Sequence, residues 1–325
     1  MSAIGSFETD YETATERCGL LDRSERGKLA LTGPGAKEFL QGQVSNDVLA
    51  LTPGTGCYAT FLTPKGKMLG DLRILDAGQE LLLDTERPAL QELFDMIRRF
   101  SIGHDVVLHK RTLERGLLSL IGPAADDVLA NAGPGPLADA EHDHALAHLG
   151  GPEVRTIRTD IGIDVLCDGD AVDGVRSALF DAGAAELGEA AAECVRIELG
   201  RPRYGIDLDD SVIPQEAGLN ERAVSFTKGC YVGQETVARL FHRGKPNRHL
   251  RGLRSAAPIP PGTVLAHAGR EVGKVTSSAN SPRLGPIGLA LVRREAPIGT
   301  IVSAGPAGDA EVVALPFPDG AAGQG

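Results

Sequence analysis

Alternating apolar and polar positions mark two related segments of the chain. LALTGPGAKEFL (residues 29–40) and LSLIGPAADDVL (residues 118–129) align at an offset of 89 residues, and leucines alternate in both. Each then carries a Gly-Pro pair and apolar residues at helical spacing. The pattern predicts a strand, a tight glycine turn, a proline at the first helical position and a short amphipathic helix. It indicates an internal repeat; convergence on a favourable local structure is the alternative.

The region between the two copies continues with short elements. Residues 57–63, 68–75 and 80–84 are apolar runs of strand length, separated by turn residues. Residues 87–100 have apolar positions at helical spacing, and residues 105–110 return to a strand pattern. This β-β-β-α-β order with short connections predicts an antiparallel sheet that carries helices on one face, an α+β sandwich.

The middle of the chain is less regular. Residues 131–153 are rich in Gly, Pro, Ala and His and predict a loop or linker. They include His142, His144 and His148, but a flexible segment lacks the rigid framing that a metal site needs. Beyond this segment, we expect an extended run over residues 154–168, followed by helices over 171–183 and about 188–199.

From Leu250 onward the pattern changes again. Short runs rich in β-branched residues alternate with Gly/Pro turns as far as residue 317. This spacing predicts a small β-barrel that forms a separate C-terminal domain.

Composition and charge exclude some classes of function. The chain has 325 residues, 44 acidic against 33 basic, and a formal net charge of −11. It therefore has no global attraction to nucleic acid or to anionic membranes. The N-terminus lacks a basic segment followed by an apolar run, and no stretch of about 18 apolar residues occurs. We expect a cytoplasmic protein without membrane contact.

Cysteine usage draws attention to one residue. Five cysteines without C-x-x-C spacing argue against a disulfide framework and against a self-contained zinc or iron–sulfur site. Cys230 lies in KGCYVGQE (residues 228–235), close to Lys228 and Arg239 and just before a predicted helix. Cations and a helix N-terminus both stabilise a thiolate. A reactive thiol is therefore one interpretation, and a buried structural cysteine is the other.

A cationic stripe follows the cysteine. Residues 236–255 contain six basic residues and no acid: Arg239, Arg243, Lys245, Arg248, Arg251 and Arg254. Such a stripe suits an anionic partner, such as a glutamate tail or RNA phosphate. A solvated surface paired with acids elsewhere in the fold explains it equally well.

KGCYVGQE followed by Ala238-Arg239 resembles the signature of the YgfZ-type folate-binding proteins. These proteins share the fold of the glycine-cleavage T-protein, an aminomethyltransferase, and include iron–sulfur assembly factors. Five further blocks resemble the family in its order: FLQGQVSNDV (39–48), TPKGKMLGDLRIL (63–75), VRIELGRPRYGIDL (195–208), IPQEAGL (213–219) and GKVTSSANSPRLGPIGLALVR (273–293).

The resemblance implies an α+β, three-domain cloverleaf around a central hole. A folate-binding region over residues 1–244 would contain two intertwined subdomains. Residues 1–50 with 154–244 would form one of them and residues 51–153 the other. The C-terminal β-barrel would then span residues 245–325.

The resemblance also implies tetrahydrofolate as cofactor and a set of site residues, with no metal. Glu198, in Arg-Ile-Glu-Leu-Gly, would accept two hydrogen bonds from the pterin. Cys230 would be the reactive thiol and Lys228 the cation that tunes it. The other expected folate contacts are Asp71, Asn46, Tyr231, Gly233, Gln234, Glu235 and Arg239.

One position departs from the T-protein pattern. T-proteins carry an acidic pair where this chain has Gly70-Asp71, and losing one carboxylate puts aminomethyl transfer in doubt. We therefore expect a monomeric, folate-dependent accessory factor that assembles or repairs iron–sulfur enzymes, including those that modify tRNA. Its partners would be those client enzymes or assembly proteins, with a tRNA contact through Arg239–Arg254. The alternative is a tetrahydrofolate-dependent aminomethyl or one-carbon transferase, and the third hypothesis is an RNA-binding module.

Overall fold

The computed structural model describes residues 6–318, apart from the side chain of Arg243. Residues 1–5 and 319–325, which the predicted domain ranges include, lie outside the described part of the chain. The first elements are α1 (Phe7–Glu16), β1 (Gly19–Asp22), β2 (Gly27–Thr32), α2 (Ala36–Gln41), β3 (Gly56–Leu62), β4 (Met68–Asp76), β5 (Glu80–Thr85), α3 (Leu90–Phe100) and β6 (Val107–Lys110).

The middle elements are β7 (Arg115–Ile121), α4 (Ala125–Asn131), β8 (His144–His148), β9 (Glu153–Thr159), β10 (Gly162–Asp168), α5 (Val172–Asp181), β11 (Ala185–Glu186), α6 (Glu189–Glu198), α7 (Asn220–Ala223) and α8 (Gln234–Arg243). The last are β12 (Arg248–Ser255), β13 (Val264–His267), β14 (Arg270–Ser281), β15 (Gly285–Arg293), β16 (Ile301–Ser303) and β17 (Asp309–Val313).

The first sheet is antiparallel and has the strand order β3-β4-β5-β2-β6. One face packs on α2, α3 and the segment that leads to α8, and it buries Phe39, Phe61, Leu72, Ile74 and Leu93. Alternation along β4 places Leu72 and Ile74 in this core. The same alternation sends the side chains of Asp71 and Arg73 to the opposite face.

The second sheet has the order β11-β1-β7-β10-β9-β8. Its strands pair antiparallel except for β1 with β11. Helices α4 and α5 pack on β7 and β10, whereas α1 packs against α6. The two sheets meet through Ala30, Leu75 and Leu82 of the first and Ile157 of the second.

Strands β12 to β17 form a closed barrel in the order β12-β15-β14-β13-β16-β17, with β17 paired to β12. Its interior is lined by small and β-branched residues, including Val275, Ala290 and Val302. Ile197 of α6 packs among Leu250, Leu289 and Phe317. The predicted α+β architecture with a C-terminal β-barrel is confirmed.

Both copies of the repeat form a strand, a glycine turn and a helix, β2–α2 and β7–α4. Gly33 and Gly122 have φ of 102° and 126°. A Cβ at Gly122 would lie 2.4 Å from the carbonyl oxygen of Arg17, so the turn requires glycine. The helices begin two residues after the prolines, at Ala36 and Ala125, so placing proline at the first helical position was wrong.

Three further expectations need correction. The segment 131–153 contains β8, which adds an edge strand to the second sheet, and the extended run at 154–168 is the β9–β10 hairpin. The sheets also divide the chain differently from the expected grouping of residues 1–50 with 154–244. Strand β2 pairs with β5 and β6, while β7 and β8 belong to the second sheet. Long-range strand pairing decides this division, and local pattern does not reveal it.

None of the helices in the described residues has the length and hydrophobicity needed to span a lipid bilayer.

Candidate functional site

A cavity of about 250 Å³ lies between the two sheets and the C-terminal half of α6. We call it the central cavity. Its described wall contains seven arginines: Arg23, Arg26, Arg73, Arg196, Arg201, Arg203 and Arg222. Seven acidic residues balance them: Asp71, Asp84, Glu86, Glu141, Asp160, Asp164 and Glu193. The wall is therefore rich in charged residues but close to neutral overall.

Arg73 joins the two sheets across this cavity. Its guanidinium donates 2.6 Å to Asp84 on β5 and 2.7 Å to Asp164 on β10. Burial by itself would raise the pKa of Asp84, but the charges of Arg26 and Arg73 outweigh burial and hold that pKa below its ordinary value. The network keeps Asp84 ionised and joins the two walls.

Asp71 is the predicted site residue that lies in the central cavity. Its side chain is 5% exposed, and Oδ2 accepts a 2.7 Å hydrogen bond from the Tyr58 hydroxyl. Burial raises the pKa of Asp71 to about 6, although the hydrogen bond from Tyr58 acts in the opposite direction. A carboxyl group with such a pKa can both hold and release a proton near neutral pH.

Position 70 faces away from the cavity. A Cβ at Gly70 would lie 2.6 Å from the Cβ of Ala89 and 2.6 Å from two ring carbons of Phe61. Successive residues of a strand point to opposite faces, so an acid at this position would enter the hydrophobic core. The absence of a carboxylate at position 70 therefore removes no group from this cavity. Gly70 then gives no structural reason to doubt aminomethyl transfer.

Lys228 acts as a clamp between two segments of backbone. Its buried ammonium donates to the carbonyl oxygens of Gln41, Val44 and Asn46 at 2.6, 2.7 and 2.8 Å. It also lies 5.0 Å from the centre of the Tyr231 ring. The three N–H groups are thus occupied by carbonyl acceptors. Among residues 6–318, no hydrogen bond or ion pair joins Lys228 to Cys230, so the structure gives it a different role from the expected tuning cation.

Asn46 connects this clamp to the central cavity. Its amide nitrogen donates to the backbone carbonyls of Tyr58 and Arg222, at 2.8 and 3.3 Å. Both of those residues line the cavity, and the Arg222 guanidinium lies 5.4 Å from the centre of the Tyr58 ring. Asn46 therefore supports the cavity wall from behind.

The loop that carries Cys230 is held against the β3–β4 turn. Gly233 has φ of 85° and precedes α8, and a Cβ there would lie 2.7 Å from the carbonyl oxygen of Thr63. A Cβ at Gly66 would lie 2.8 Å from Thr236. The two glycines thus allow TPKGK and KGCYVGQE to pack closely. Cys230 itself is exposed.

The remaining expected folate contacts do not reach the central cavity. Tyr231 packs in the core of the first sheet, and Glu235 and Arg239 are exposed. Gln234 is half-buried at the first turn of α8. Neither these residues nor Gly233 belong to the described cavity wall, so the octapeptide and the cavity are adjacent features rather than one site.

Glu198 lines a different cavity, of about 940 Å³, bounded by α1, α4, α6 and the barrel. Its Oε1 accepts hydrogen bonds from Tyr11 (2.8 Å) and Ser281, and its Oε2 accepts one from Arg283 at 3.1 Å. Six acids and two arginines belong to the described wall of this second cavity, which disfavours an anionic tail. Glu198 and Asp71 therefore belong to the walls of two neighbouring cavities, which share Thr159, Asp160, Ile161 and Leu199. Protein donors already occupy Glu198.

The predicted cationic stripe is partly neutralised within the fold. Arg248 donates 3.0 Å to Glu216, and Arg254 donates 2.8 Å to the carbonyl of Pro318. Burial lowers the pKa of Arg251. Arg239 and Lys245 are exposed, and the side chain of Arg243 lies outside the described atoms. The alternative interpretation of the stripe, in which its cations pair with acids elsewhere in the fold, is therefore supported for Arg248.

Sequence reasoning missed several residues of the cavity wall. Tyr58 and Arg73 are cross-strand partners on β3 and β4, and alternation from Asp71 could have identified Arg73. Arg222 lies in the one-turn helix α7 and His142 in an irregular segment, and neither has a pattern that marks it. Among the described residues, no group of three His, Cys, Asp or Glu side chains is arranged to hold a metal ion.

Comparison with known proteins agrees with the fold. The family described as the GCVT N-terminal domain matches residues 3–228, and the glycine cleavage T-protein C-terminal barrel domain matches residues 248–319. The crystal structure of the glycine cleavage system aminomethyltransferase T from Bartonella henselae superimposes with a TM-score of 0.87 and 25% identity. That likeness covers 96% of this chain and 89% of the other.

Two relatives that match most of the chain in sequence are named as transferases. An aminomethyltransferase of Geobacillus kaustophilus is 30% identical over 97% of this chain and 91% of its own length. A putative chloroplastic transferase of Arabidopsis thaliana is 29% identical over 93% of this chain and 72% of its own length. Because the N-terminal family covers more than half of the chain and the barrel family covers residues 248–319, this chain belongs to the glycine cleavage T-protein family.

Proposed function

We propose that this protein binds a reduced folate in the central cavity and transfers a one-carbon unit, most simply an aminomethyl group. The observation that carries the proposal is Asp71, a buried carboxyl group with a pKa of about 6 in the wall of the cavity. The relatives that are named aminomethyltransferase support the same reaction class. The function that we first expected, without transfer, rested on the KGCYVGQE octapeptide together with Gly70 and is now the second candidate.

The wall of the cavity suits a polar heterocycle. Its described wall carries hydrogen-bonding and charged side chains from both sheets and the segment that precedes α8, including Tyr58, Asp71 and Arg222. The volume of about 250 Å³ lies just below the roughly 300–1,000 Å³ of typical ligand sites. It accommodates a ring system rather than a whole folate.

A reduced folate supplies a nucleophilic nitrogen that would bond to the one-carbon unit while the bond between that carbon and the donor breaks. The donor group would leave with the proton that the nitrogen gives up. Asp71 would hold the reacting nitrogen by a hydrogen bond and exchange a proton at Oδ1 or Oδ2. Tyr58 keeps one oxygen of Asp71 in place and favours its ionised form. The ion pairs of Arg73 with Asp84 and Asp164 hold the two walls of the cavity at a fixed distance.

Turnover by purified protein tests this proposal. We expect one-carbon-substituted folate to form from tetrahydrofolate and an aminomethyl donor, and Asp71→Asn to lower the rate by about 10²–10⁴-fold. Asp95→Asn, an exposed site on α3, is the control for loss of a carboxylate. Wild-type turnover by Asp71→Asn, or no product from the wild type, contradicts the proposal.

The second candidate is a folate-binding factor of the YgfZ type that maintains iron–sulfur enzymes, including those that modify tRNA. It is supported by the exposed thiol of Cys230 on a loop that the buried Lys228 holds in place. Cys230→Ala should then abolish rescue of iron–sulfur enzyme activity in cells. Thr227→Ala, an exposed neighbour, should rescue fully. Rescue by Cys230→Ala would remove this candidate.

A further inference from the structure

Strand β6 is the open edge of the first sheet. It pairs with β2 on one side, and no strand of the described residues lies on its other side. The opposite edge, β3, is covered by a loop whose Ser45 amide donates 2.9 Å to the carbonyl of Thr60. An uncovered edge presents backbone donors and acceptors with which another extended chain can pair. Strand β6 is therefore a candidate site for a partner.

The backbone groups on the free side of β6 belong to Leu108 and Lys110. The Arg111 amide donates 2.9 Å to the carbonyl of Lys28 on β2. Hydrogen-bonded residues alternate along an antiparallel pair, so Leu108 and Lys110 turn their N–H and C=O groups away from β2. Lysines on edge strands often block pairing, but the Lys110 ammonium lies 4.5 Å from the centre of the Phe94 ring on α3. The lysine side chain is thus turned toward α3 and leaves the edge open.

A groove of about 310 Å³ lies next to this edge, between the start of α3 and the end of β6. The apolar residues of its described wall are Leu29, Leu90, Phe94 and Leu113. Leu113 is 94% exposed, in a turn that the Glu114 amide closes by donating 3.1 Å to the carbonyl of Arg111. The turn therefore holds a large apolar side chain in solvent at the rim of the groove. We call β6 and this groove the β6 edge.

Further exposed apolar side chains lie in β6 or next to it along the chain. Of the exposed large hydrophobic residues in the described chain, four lie between positions 100 and 113: Phe100, Ile102, Val107 and Leu113. Single exposed apolar residues are ordinary on a protein surface, but a group of them beside an unpaired strand is typical of an interaction surface. The hydrophobic effect favours a partner that covers them.

The charges of the groove specify the chemistry of this partner. Two exposed cations, Arg87 and Lys110, belong to the described groove wall and form no ion pair with any described residue. Glu114, the acid of that wall, already pairs with Arg111 at 2.6 Å. An apolar groove with two unpaired cations favours a partner whose apolar residues adjoin carboxylates. Pairing of two copies of this edge would bring the same cations together, which disfavours self-association.

We propose that the β6 edge binds an extended, acidic segment of a partner protein. The segment adds a strand to the first sheet through the backbone groups of Leu108 and Lys110, places an apolar side chain in the groove and brings carboxylates to Arg87 and Lys110. None of the groove residues belongs to the described wall of the central cavity. The inference therefore goes beyond the proposed function and does not depend on it.

Fluorescence polarisation with three labelled peptides and the full chain tests the inference. The first peptide alternates valine with glutamate over about eight residues, the length of a typical strand. The second replaces each glutamate by lysine, and the third keeps the glutamates but carries N-methyl groups at alternate residues. We expect the acidic peptide to bind at least about tenfold more tightly than the other two, because one reverses the charges and the other removes the backbone donors of one side.

Variants of the groove show whether the peptide binds there. Leu113→Ser should weaken binding of the acidic peptide about tenfold, and it leaves the core intact because the side chain is exposed. Leu146→Ser is the matched control, at a leucine of the edge strand β8 that is 57% exposed, and it should bind like the wild type. The double variant Arg87→Glu with Lys110→Glu should lose the acidic peptide and bind the lysine peptide instead.

Hydrogen exchange of the amides locates the bound strand. The amides of Leu108 and Lys110 should exchange more slowly when the acidic peptide is bound, whereas those of β8 should not change. This protection, together with weaker binding by Leu113→Ser, supports the inference.

Three results overturn it. They are no binding of the acidic peptide by the wild type, equal binding of the three peptides, and unchanged binding by Leu113→Ser. A dimer in sedimentation that Leu113→Ser dissociates would assign the β6 edge to a second copy of the chain, and it would overturn the proposal of an acidic partner.

Discussion

The Tyr58 hydroxyl donates a 2.7 Å hydrogen bond to Oδ2 of Asp71 inside the central cavity. The two residues lie on neighbouring strands, and burial raises the pKa of both groups, that of Asp71 to about 6 and that of Tyr58 well above its usual value. The phenol therefore stays protonated and serves as a permanent donor to a carboxyl group that titrates near neutral pH.

Tyr58→Phe should move the pH profile of turnover. The hydrogen bond favours the ionised form of Asp71, so removing it raises the pKa of Asp71 above about 6. If Asp71 acts in its ionised form, the acidic limb of kcat against pH should shift to higher pH. Rates measured from pH 5 to 8.5 decide this, and an unchanged acidic limb contradicts the coupling of Tyr58 to Asp71.

Asp71 should make the protein less stable as pH rises. Its pKa in the folded state is raised from 3.8 to about 6, so its contribution is fully present below about pH 4 and is lost as the pH rises through 6. The shift of about 2 units corresponds to about 3 kcal/mol in the free energy of unfolding.

Urea unfolding of the wild type and of Asp71→Asn between pH 4.5 and 7.5 measures this effect. Asparagine cannot ionise, so the stability of the wild type relative to the variant should fall across the range. A difference that does not vary with pH would show that Asp71 titrates normally.

Lys228→Met should destabilise the protein by about 2–4 kcal/mol, because three carbonyl acceptors lose a charged donor. Methionine keeps the apolar stem, so the change isolates the ammonium group. Lys65→Met, at an exposed lysine in the β3–β4 turn, should be neutral within about 0.5 kcal/mol. Equal unfolding midpoints for Lys228→Met and the wild type would rule out the clamp.

Gly233→Ala and Gly229→Ala should differ sharply although both lie in the octapeptide. A Cβ at Gly233 meets the carbonyl of Thr63 at 2.7 Å with φ of 85°, whereas nothing lies within 4 Å of a Cβ at Gly229. We expect Gly233→Ala to cost at least about 1–3 kcal/mol and Gly229→Ala to change stability by less than about 0.5 kcal/mol. Thermal unfolding of the two variants measures this difference in stability. Similar midpoints would contradict the close packing against the β3–β4 turn.

Limited alkylation of the native protein should modify Cys230 first. Burial raises the pKa of Cys18, Cys57 and Cys194 to about 12 and that of Cys167 to about 11, so their thiolate fractions are very small. Cys230 is the exposed cysteine of the described residues. Peptide mapping after treatment with one equivalent of iodoacetamide identifies the site, and earlier modification of any other cysteine would refute this ranking.

The local pattern of apolar and polar residues was sufficient to predict much of the fold. Strands β3, β4 and β5 lie within two residues of their predicted limits, because alternation of apolar positions reports which side of a strand is buried. The repeat and the β-barrel were likewise visible as strand and turn signals. The β8 strand was missed, since an edge strand with exposed Ala145 and Leu146 carries little apolar signal.

The candidate site was only partly predictable. Asp71 was identified from its motif, but the direction of Gly70 depends on what packs behind β4, where Phe61 of the neighbouring strand and Ala89 beyond β5 meet it. Lys228 was identified as a cation near the thiol, yet its partners lie more than 180 residues away. Glu198 was assigned to the ligand, whereas Tyr11, Ser281 and Arg283 converge on it from two other parts of the chain.

The sequence by itself determined most of the elements, the family resemblance and the one carboxyl group of the motif that faces the cavity, because these depend on residue types over short spans. Only the tertiary structure decided which polar groups are paired. Ion pairs and backbone acceptors from distant segments satisfy Lys228, Glu198 and Arg248. A buried polar group is available to a ligand only when the fold brings it no partner.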